Sequence, residues 1–441
     1  MHSELPKGWI ELEFSEAIEP RGEKVSPAVF PDYKFIGMDH VESQTTRIIG
    51  STSASEMKSN AARFYAGDVL YGRLRPYLNK VTQPNFDGLA SAEFIVFPNT
   101  SLLYSAFLKH RLNACDFVSF ASHLNEGDRP RVGFDQIGKF KLWIPPANEQ
   151  KRIVAKIEEL FSELDKSIES LKTTREQLKV YRQSVLKSAF EGKLTVGWRK
   201  KNKVSDTWMI SELGRCGKWQ GGGTPSKSIS SYWNNGDILW VSPKDMKSRH
   251  ISDTQQKITK EGVENSPAKI TGDKAVLFVI RSGIIRRILP IAIAVPGITV
   301  NQDMQALMPS EHSVEFLYWY CEANEQEIRH TCSKDGTTVE SIEVAELKKF
   351  PVPVPNYDEQ KEIVKLVEAQ ISVIENFEAT IGNELQKSEA LRQSILKKGF
   401  SGKLVAQDSA DEPASILLER ISFEKKIQSP KKKSKDKRKA A

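Results

Sequence analysis

The sequence predicts a mixed α/β chain in which two α/β domains alternate with two long helices. The helices are expected to pair as an antiparallel coiled coil, and the whole forms a pseudo-twofold tandem repeat. Three observations carry this reading. A 46-residue segment beginning at Glu149 recurs at Glu359, 210 positions later and without a gap, with 16 identical positions. Both copies place apolar residues every seven positions. The stretches outside the copies, 1–148 and 195–358, run through short apolar segments in the same order.

The first domain, 1–148, opens on a tryptophan-led segment, GWIELEF. KFIGM, AGDVLYGRL and EFIVFP follow, apolar runs of strand length bounded by turn residues. LLYSAFLKHRLNA spaces its apolar residues by three and four and reads as a helix. KLWIPPAN closes the domain. Proline cannot continue a strand ladder and suits a boundary ahead of a helix.

The first long helix, 149–194, carries Ile157, Leu164, Leu171, Leu178 and Val185 at heptad spacing. The second, 359–404, carries Val367, Ile374, Ile381 and Ile395, with Ser388 interrupting the row. Such a repeat makes a narrow seam that needs one partner helix. Antiparallel pairing of the copies satisfies both seams and lets one chain return. Some 40 residues at about 1.5 Å each span roughly 60 Å. Gly192 and Gly402 stand where a helix can end in a left-handed residue.

The second domain, 195–358, repeats the plan. TWMISEL opens it, DILWVS, KAVLFVI and IAIAV read as strands, and VEFLYWYCEANEQEIRH reads as helical. FPVPVPNYD is its exit. Residues 405–441 read as a Lys-rich, disordered tail. Between Glu424 and Ala441 stand nine Lys/Arg and two Asp/Glu, which accounts for the whole formal charge of +7. Residues 1–423 are therefore neutral overall, and any nucleic-acid surface there must be a local patch.

A hydrophobic fraction of 39% suffices for real cores. No run approaches the roughly 18 apolar residues of a membrane span, and the N-terminus lacks a signal-peptide core. Cys115, Cys216, Cys321 and Cys332 form no CxxC pair. The expectation is a cytoplasmic protein with reduced thiols, with no membrane and no metal site.

Three enzyme readings fail on local context. GGGTPSKS, Gly221–Ser228, nearly fits a phosphate-binding loop, but Ser226 replaces the glycine before Lys227 and no helix is expected after it. Asp32, Glu56 and Lys58 have the letters of a nuclease metal site, yet the last two fall in a polar loop-like stretch. No strand-linked glycine loop suits S-adenosylmethionine, and the paired prolines of IPPANEQ lie outside a methyltransferase context. No catalytic residue is assigned.

Two variable domains, each followed by a proline exit, an EQK-led helix and a GKL ending, resemble the specificity subunit of type I restriction–modification systems. IPPANEQKRIV and VPNYDEQKEIV carry the resemblance, with RQSVLKSAFEGKL and RQSILKKGFSGKL. It extends to about Leu404. It implies that each domain is a target-recognition domain reading half of a bipartite, asymmetric site in double-stranded DNA, with the helices setting the spacing. It also implies two methyltransferase subunits using S-adenosylmethionine and two ATP- and Mg-dependent restriction subunits. This chain itself would hold no cofactor.

Base edges are read by Arg, Lys, Asn, Gln, Ser and Thr, and phosphates are held by Lys, Arg and backbone amides. Candidates in the first domain are Arg73, Arg75 and Lys80, then the loop His123, Asn125, Arg129 and Arg131. In the second they are Gln220, Thr224, Ser226 and Lys227, then Lys244, then Arg281, Arg286 and Arg287, then Lys334, Thr337 and Thr338. Arg281, Arg286 and Arg287 are expected to match Arg73 and Arg75, and Lys334, Thr337 and Thr338 to match the later loop of the first domain. The helices' polar faces and EQK ends are expected to meet the methyltransferase. Two alternatives stay open: an enzyme acting alone on DNA, and a scaffold that binds proteins without reading bases.

Overall fold

The computed structural model describes residues 4–334 and 340–428. The chain divides into two compact units, Met1–Leu171 with Asn383–Ala441, and Lys172–Gly382. Each long helix is thus shared between the units rather than forming a segment of its own.

In the first unit the opening strand Ile10–Glu13 pairs antiparallel with the exit strand Lys141–Ile144. A central antiparallel pair, Val69–Gly72 with Phe94–Phe97, is flanked by Val81–Thr82. A five-stranded mixed sheet packs beside it, in the order Lys24–Val25, Ala61–Phe64, Gly88–Ala90, Lys34–Ile36 and Thr52–Ser53. The second unit repeats the ribbon with Met209–Glu212 and Pro351–Val354. It repeats the central pair with Ala275–Val279 and Met304–Pro309. There the pair lies inside the five-stranded sheet, so the two copies completed their sheets differently.

The exit prolines correct one expectation. Pro351 and Pro353 do not merely precede the helix; they belong to a strand. Leu213 N–H donates to the Phe350 carbonyl, which places the hydrogen-bonded positions at Phe350, Val352 and Val354. The prolines alternate with these, and their missing N–H groups fall outside the ladder, as proline requires on an edge.

The long helices run Ala147–Phe190 and Tyr357–Phe400. Their pairing is antiparallel within each unit. In the first, Asp165 meets Arg392, and Ile157 lies against Gly399. In the second, Arg182 faces Glu375 at 3.8 Å and the Tyr181 hydroxyl donates to Gln370 at 3.4 Å. The heptad row is the buried one. Ile157, Leu164, Val185, Val367, Ile374, Ile381 and Ile395 are buried, and Leu171 and Leu178 are half-buried.

The identical residues of the repeat mark where each helix enters a core. Ile153, Leu396 and Phe400 join the first unit's core; Ile363, Leu186 and Phe190 join the second's. Gln150 clasps the first helix start by donating to the Leu102 and Pro145 carbonyls and accepting from the Tyr104 amide. Gln360 repeats this with the Pro355 carbonyl and the Ser313 amide. Both helices end as expected at left-handed glycines, Gly192 at φ 74° and Gly402 at φ 69°. Lys193 N–H closes on the Ser188 carbonyl and Lys403 N–H on the Lys398 carbonyl, each at 2.9 Å.

Of residues 405–441, expected as a disordered Lys-rich tail, 429–441 lie outside the described residues, and the rest contains the helix Ala414–Gln428. Leu417, Leu418 and Ile421 cover the first unit's core, and Asp411 accepts from Arg152 at 2.6 Å. Apolar spacing in this stretch outweighs its distance from the repeat. Among the described residues, no helix is long and apolar enough to cross a membrane.

Candidate nucleic-acid interface

The second unit has an open cleft of about 920 Å³. Its floor is laid by strand ends. Arg281 follows Ala275–Val279, Lys244 follows Ile238–Val241, and Asn301, Gln302 and Asp303 lead into Met304–Pro309. The glycine-rich loop adds Thr224 and Lys227, and Lys334 completes the rim. Five of the expected residues therefore line one cleft. Among the described residues, four cations and one carboxylate, Asp303, line it, an electropositive set. Among the described residues, Lys227 and Lys244 form no ion pair, so their charges are available to an anion.

The glycines of the loop that nearly fits a phosphate-binding pattern serve packing. A Cβ on Gly222 would strike the Asn301 carbonyl, and one on Gly223 would come 2.5 Å from the Pro267 backbone. The loop then bends into the short turn Ser230–Tyr232 rather than a helix. Its backbone is pinned by Trp240, which donates to the Gly223 carbonyl, and by Trp233, which donates to that of Ser226.

The other expected residues lie elsewhere. Gln220 is spent on the Lys269 carbonyl, and the Ser226 hydroxyl meets that of Ser228. Arg286 pairs with Glu340 in a separate hollow with Arg329 and His330. Arg287 is exposed outside the cleft. A 3-10 turn after the strand carries both arginines away. Thr337 and Thr338 lie outside the described residues.

In the first unit the late loop is drawn against the strand end. Arg75 N–H donates to the Pro130 carbonyl, Val132 N–H to that of Arg73, and Leu74 bridges Arg131. Glu93 accepts from Arg131 at 2.6 Å and lies 3.8 Å from the Arg73 guanidinium. Arg73, Arg75 and Arg131 are thus gathered, with Arg129 exposed beside them. Three expected residues have polar groups engaged within the protein. Lys80 donates to the Met38 carbonyl at 2.6 Å, and Asn125 is locked to Gln136 by two amide hydrogen bonds. The His123 ring closes onto the Ser119 carbonyl at the end of its own helix.

Two features escaped the sequence reading. Gln44, Thr46, Arg75 and Asn79 all have positive φ, between 46° and 68°. They meet in one place, with Gln44 donating to the Asn79 and Tyr77 carbonyls. Non-glycine residues there cost roughly 1–2 kcal/mol each, and apart from Asn79 no residue type announces them. Glu93 and Asp303, by contrast, were within reach. They are 210 positions apart, the offset of the helix repeat.

The register also corrects the expected match of Arg281. Gly72 faces Phe94, and Val279 faces Met304. Arg281 therefore takes the place of Leu74, between Arg73 and Arg75. The EQK ends are corrected too. Glu149, Gln150, Glu359 and Gln360 are buried, and only Lys151 and Lys361 reach the surface.

Among the described residues, no group of three or more His, Cys, Asp or Glu is placed to hold a metal ion. A family model described as the type I restriction modification DNA specificity domain matches residues 32–179 and 205–387. The chain is 33% identical over 255 residues to the specificity subunit of the type I restriction enzyme EcoR124I/EcoR124II of Escherichia coli. That match spans 56% of this chain and 59% of that protein's length. It is 26% identical over 365 residues to the EcoKI specificity subunit of Escherichia coli K12, spanning 76% of this chain and 75% of that one. Among solved structures, a chain of a type I R-M system superposes with a TM-score of 0.74 at 21% identity, covering 91% of this chain and all of that one. The HsdS subunit from Thermoanaerobacter tengcongensis gives 0.52 at 21% identity, covering 91% and 98%. The structural likeness shows a shared fold.

Proposed function

Because the chain belongs to the family of type I restriction modification DNA specificity domains, we propose that it is the DNA-reading subunit of such a system. Each unit reads one half of a bipartite, asymmetric duplex site, and the paired helices set the separation of the halves. The observation that carries this is the cleft of the second unit, where four cations surround Thr224, Ser242, Asn301 and Gln302. Cations near open polar side chains combine phosphate attraction with donors and acceptors for base edges.

The chain supplies no catalytic group in this reading. Methylase subunits bring S-adenosylmethionine, restriction subunits bring ATP and Mg, and the complex works in the cytoplasm. Two copies of each partner are expected, one methylase for each half-site. The helices' exposed faces, with Lys151 and Lys361 at their starts, are the proposed methylase contact. Reversing both lysine charges is expected to weaken co-purification with the methylase while leaving the fold intact.

The deciding experiment is a methylome comparison of cells with and without the chain. The expected result is loss of methylation at one bipartite motif. An unchanged methylome overturns the reading. Turnover of DNA by the pure chain, without partners, overturns its non-catalytic part.

A further inference from the structure

Each unit holds one carboxylate at the same structural position. Glu93 and Asp303 directly precede the matching strands Phe94–Phe97 and Met304–Pro309. Each accepts from an arginine, but the arginine comes from different places. In the second unit it is Arg281, at the end of the neighbouring strand, whose Nε and Nη2 both lie 2.7 Å from one Asp303 oxygen. In the first it is Arg131, from the late loop, with Arg73 further off. The two sources face each other across one bridge: Leu74 pairs with Arg131, and Arg281 pairs with Ser341. The carboxylate has kept its place while the cation has switched sides.

A carboxylate that merely balanced charge would not need this geometry. Asp303 occupies the Nε–Nη2 edge of the Arg281 guanidinium, and among the described residues nothing is bonded to the outer Nη1–Nη2 edge. Arg281 is 58% exposed, while Asp303 is 21% exposed. Gln302 continues the chain of contacts from Asp303 to Thr224 on the glycine-rich loop. A guanidinium so held presents two parallel N–H groups, the pattern that matches O6 and N7 of guanine in the major groove.

We propose that Asp303 and Glu93 are positioning residues that each orient an arginine to read a guanine, one in each half of the DNA site. This rests on the DNA-reading function above. The test is selection of a random duplex pool by the assembled complex of this chain with its methylase subunit, followed by sequencing of the bound fraction.

Asp303→Asn is expected to relax one G·C position in one half-site by roughly 5- to 150-fold, the worth of a bidentate pair. The other half-site stays unchanged. Arg281→Ala relaxes the same position, the double variant adds nothing further, and Asp303→Glu restores part of the preference. Glu93→Gln relaxes a position in the opposite half. Thermal unfolding of each variant confirms that it remains folded. Wild-type preferences retained by folded Asp303→Asn and Glu93→Gln overturn the inference, as does an even loss across all positions. A wild-type complex that selects no sequence overturns the DNA-reading function as well, which separates the two failures.

Discussion

His110 sits on the helix Ser105–Leu112, buried against Phe161 and 3.4 Å from Glu158. Burial drives it down to about 4, against the pull of Glu158. Glu158 is in turn held down to about 2, first by its hydrogen bond to His110 and then by Lys109. The unfolded histidine takes up its proton near pH 6.5. Below that pH the unfolded chain binds a proton that the native one refuses, so stability is full above pH 6.5 and falls as pH drops toward 4. The loss reaches about 3 kcal/mol. His110→Gln is expected to flatten urea-unfolding free energy over that window; an unchanged slope contradicts the assignment.

A second residue-scale prediction concerns Glu359. It is fully buried and accepts from Arg199 and Thr195 at 2.7 Å and from Trp208 at 3.2 Å. Glu149 has the matching position beside Trp9 without a matching arginine, and burial pushes its carboxyl above the usual range. Arg199→Ala strands a buried charge and is expected to cost about 3–5 kcal/mol in denaturant unfolding. Lys361→Ala, on the exposed side of the same helix start, is expected to stay within about 0.5 kcal/mol.

At the scale of elements, the helices are amphipathic rods gripped at both ends. Ile374 is 1% exposed and its neighbour Val373 is 51% exposed. Ile374→Ala is expected to cost about 2–5 kcal/mol and Val373→Ala about 0.5 or less. Equal effects in thermal unfolding count against the seam. The heptad was legible because burial of one stripe imposes its own period on the residues. The strands were legible for a similar reason: Ala275–Val279 and Ile291–Ala294, within KAVLFVI and IAIAV, are buried along their whole length. The helix Ala414–Gln428 was not, because Lys-rich composition obscured three apolar residues, Leu417, Leu418 and Ile421, that pack on a surface supplied from far away in sequence.

At the scale of the molecule, the duplication predicts two readers that fail separately. Lys227→Ala or Lys244→Ala removes one cation from the cleft. Each is expected to weaken binding evenly across sequences and to lower the salt dependence, log K against log salt, by about 1. The half-site preferences remain. A change of preferred sequence in either variant shows that the residue reads a base instead.

The sequence by itself determined the two-copy plan, the helix seam, the glycine helix ends and the family. Each rests on periodicity or on residue types whose local chemistry permits few alternatives. It also placed the cation clusters near strand ends. Only the tertiary structure decided which members of those clusters converge. Arg281, Lys227, Lys244 and Lys334 share a cleft, while Arg286 turns away and Lys80 is consumed by a carbonyl. A side chain's freedom depends on partners tens of residues distant, and no local pattern records them. The same holds for the shared carboxylate: residues 303 and 93 carry the repeat's offset in the sequence, but only the strand register shows that different arginines answer to them.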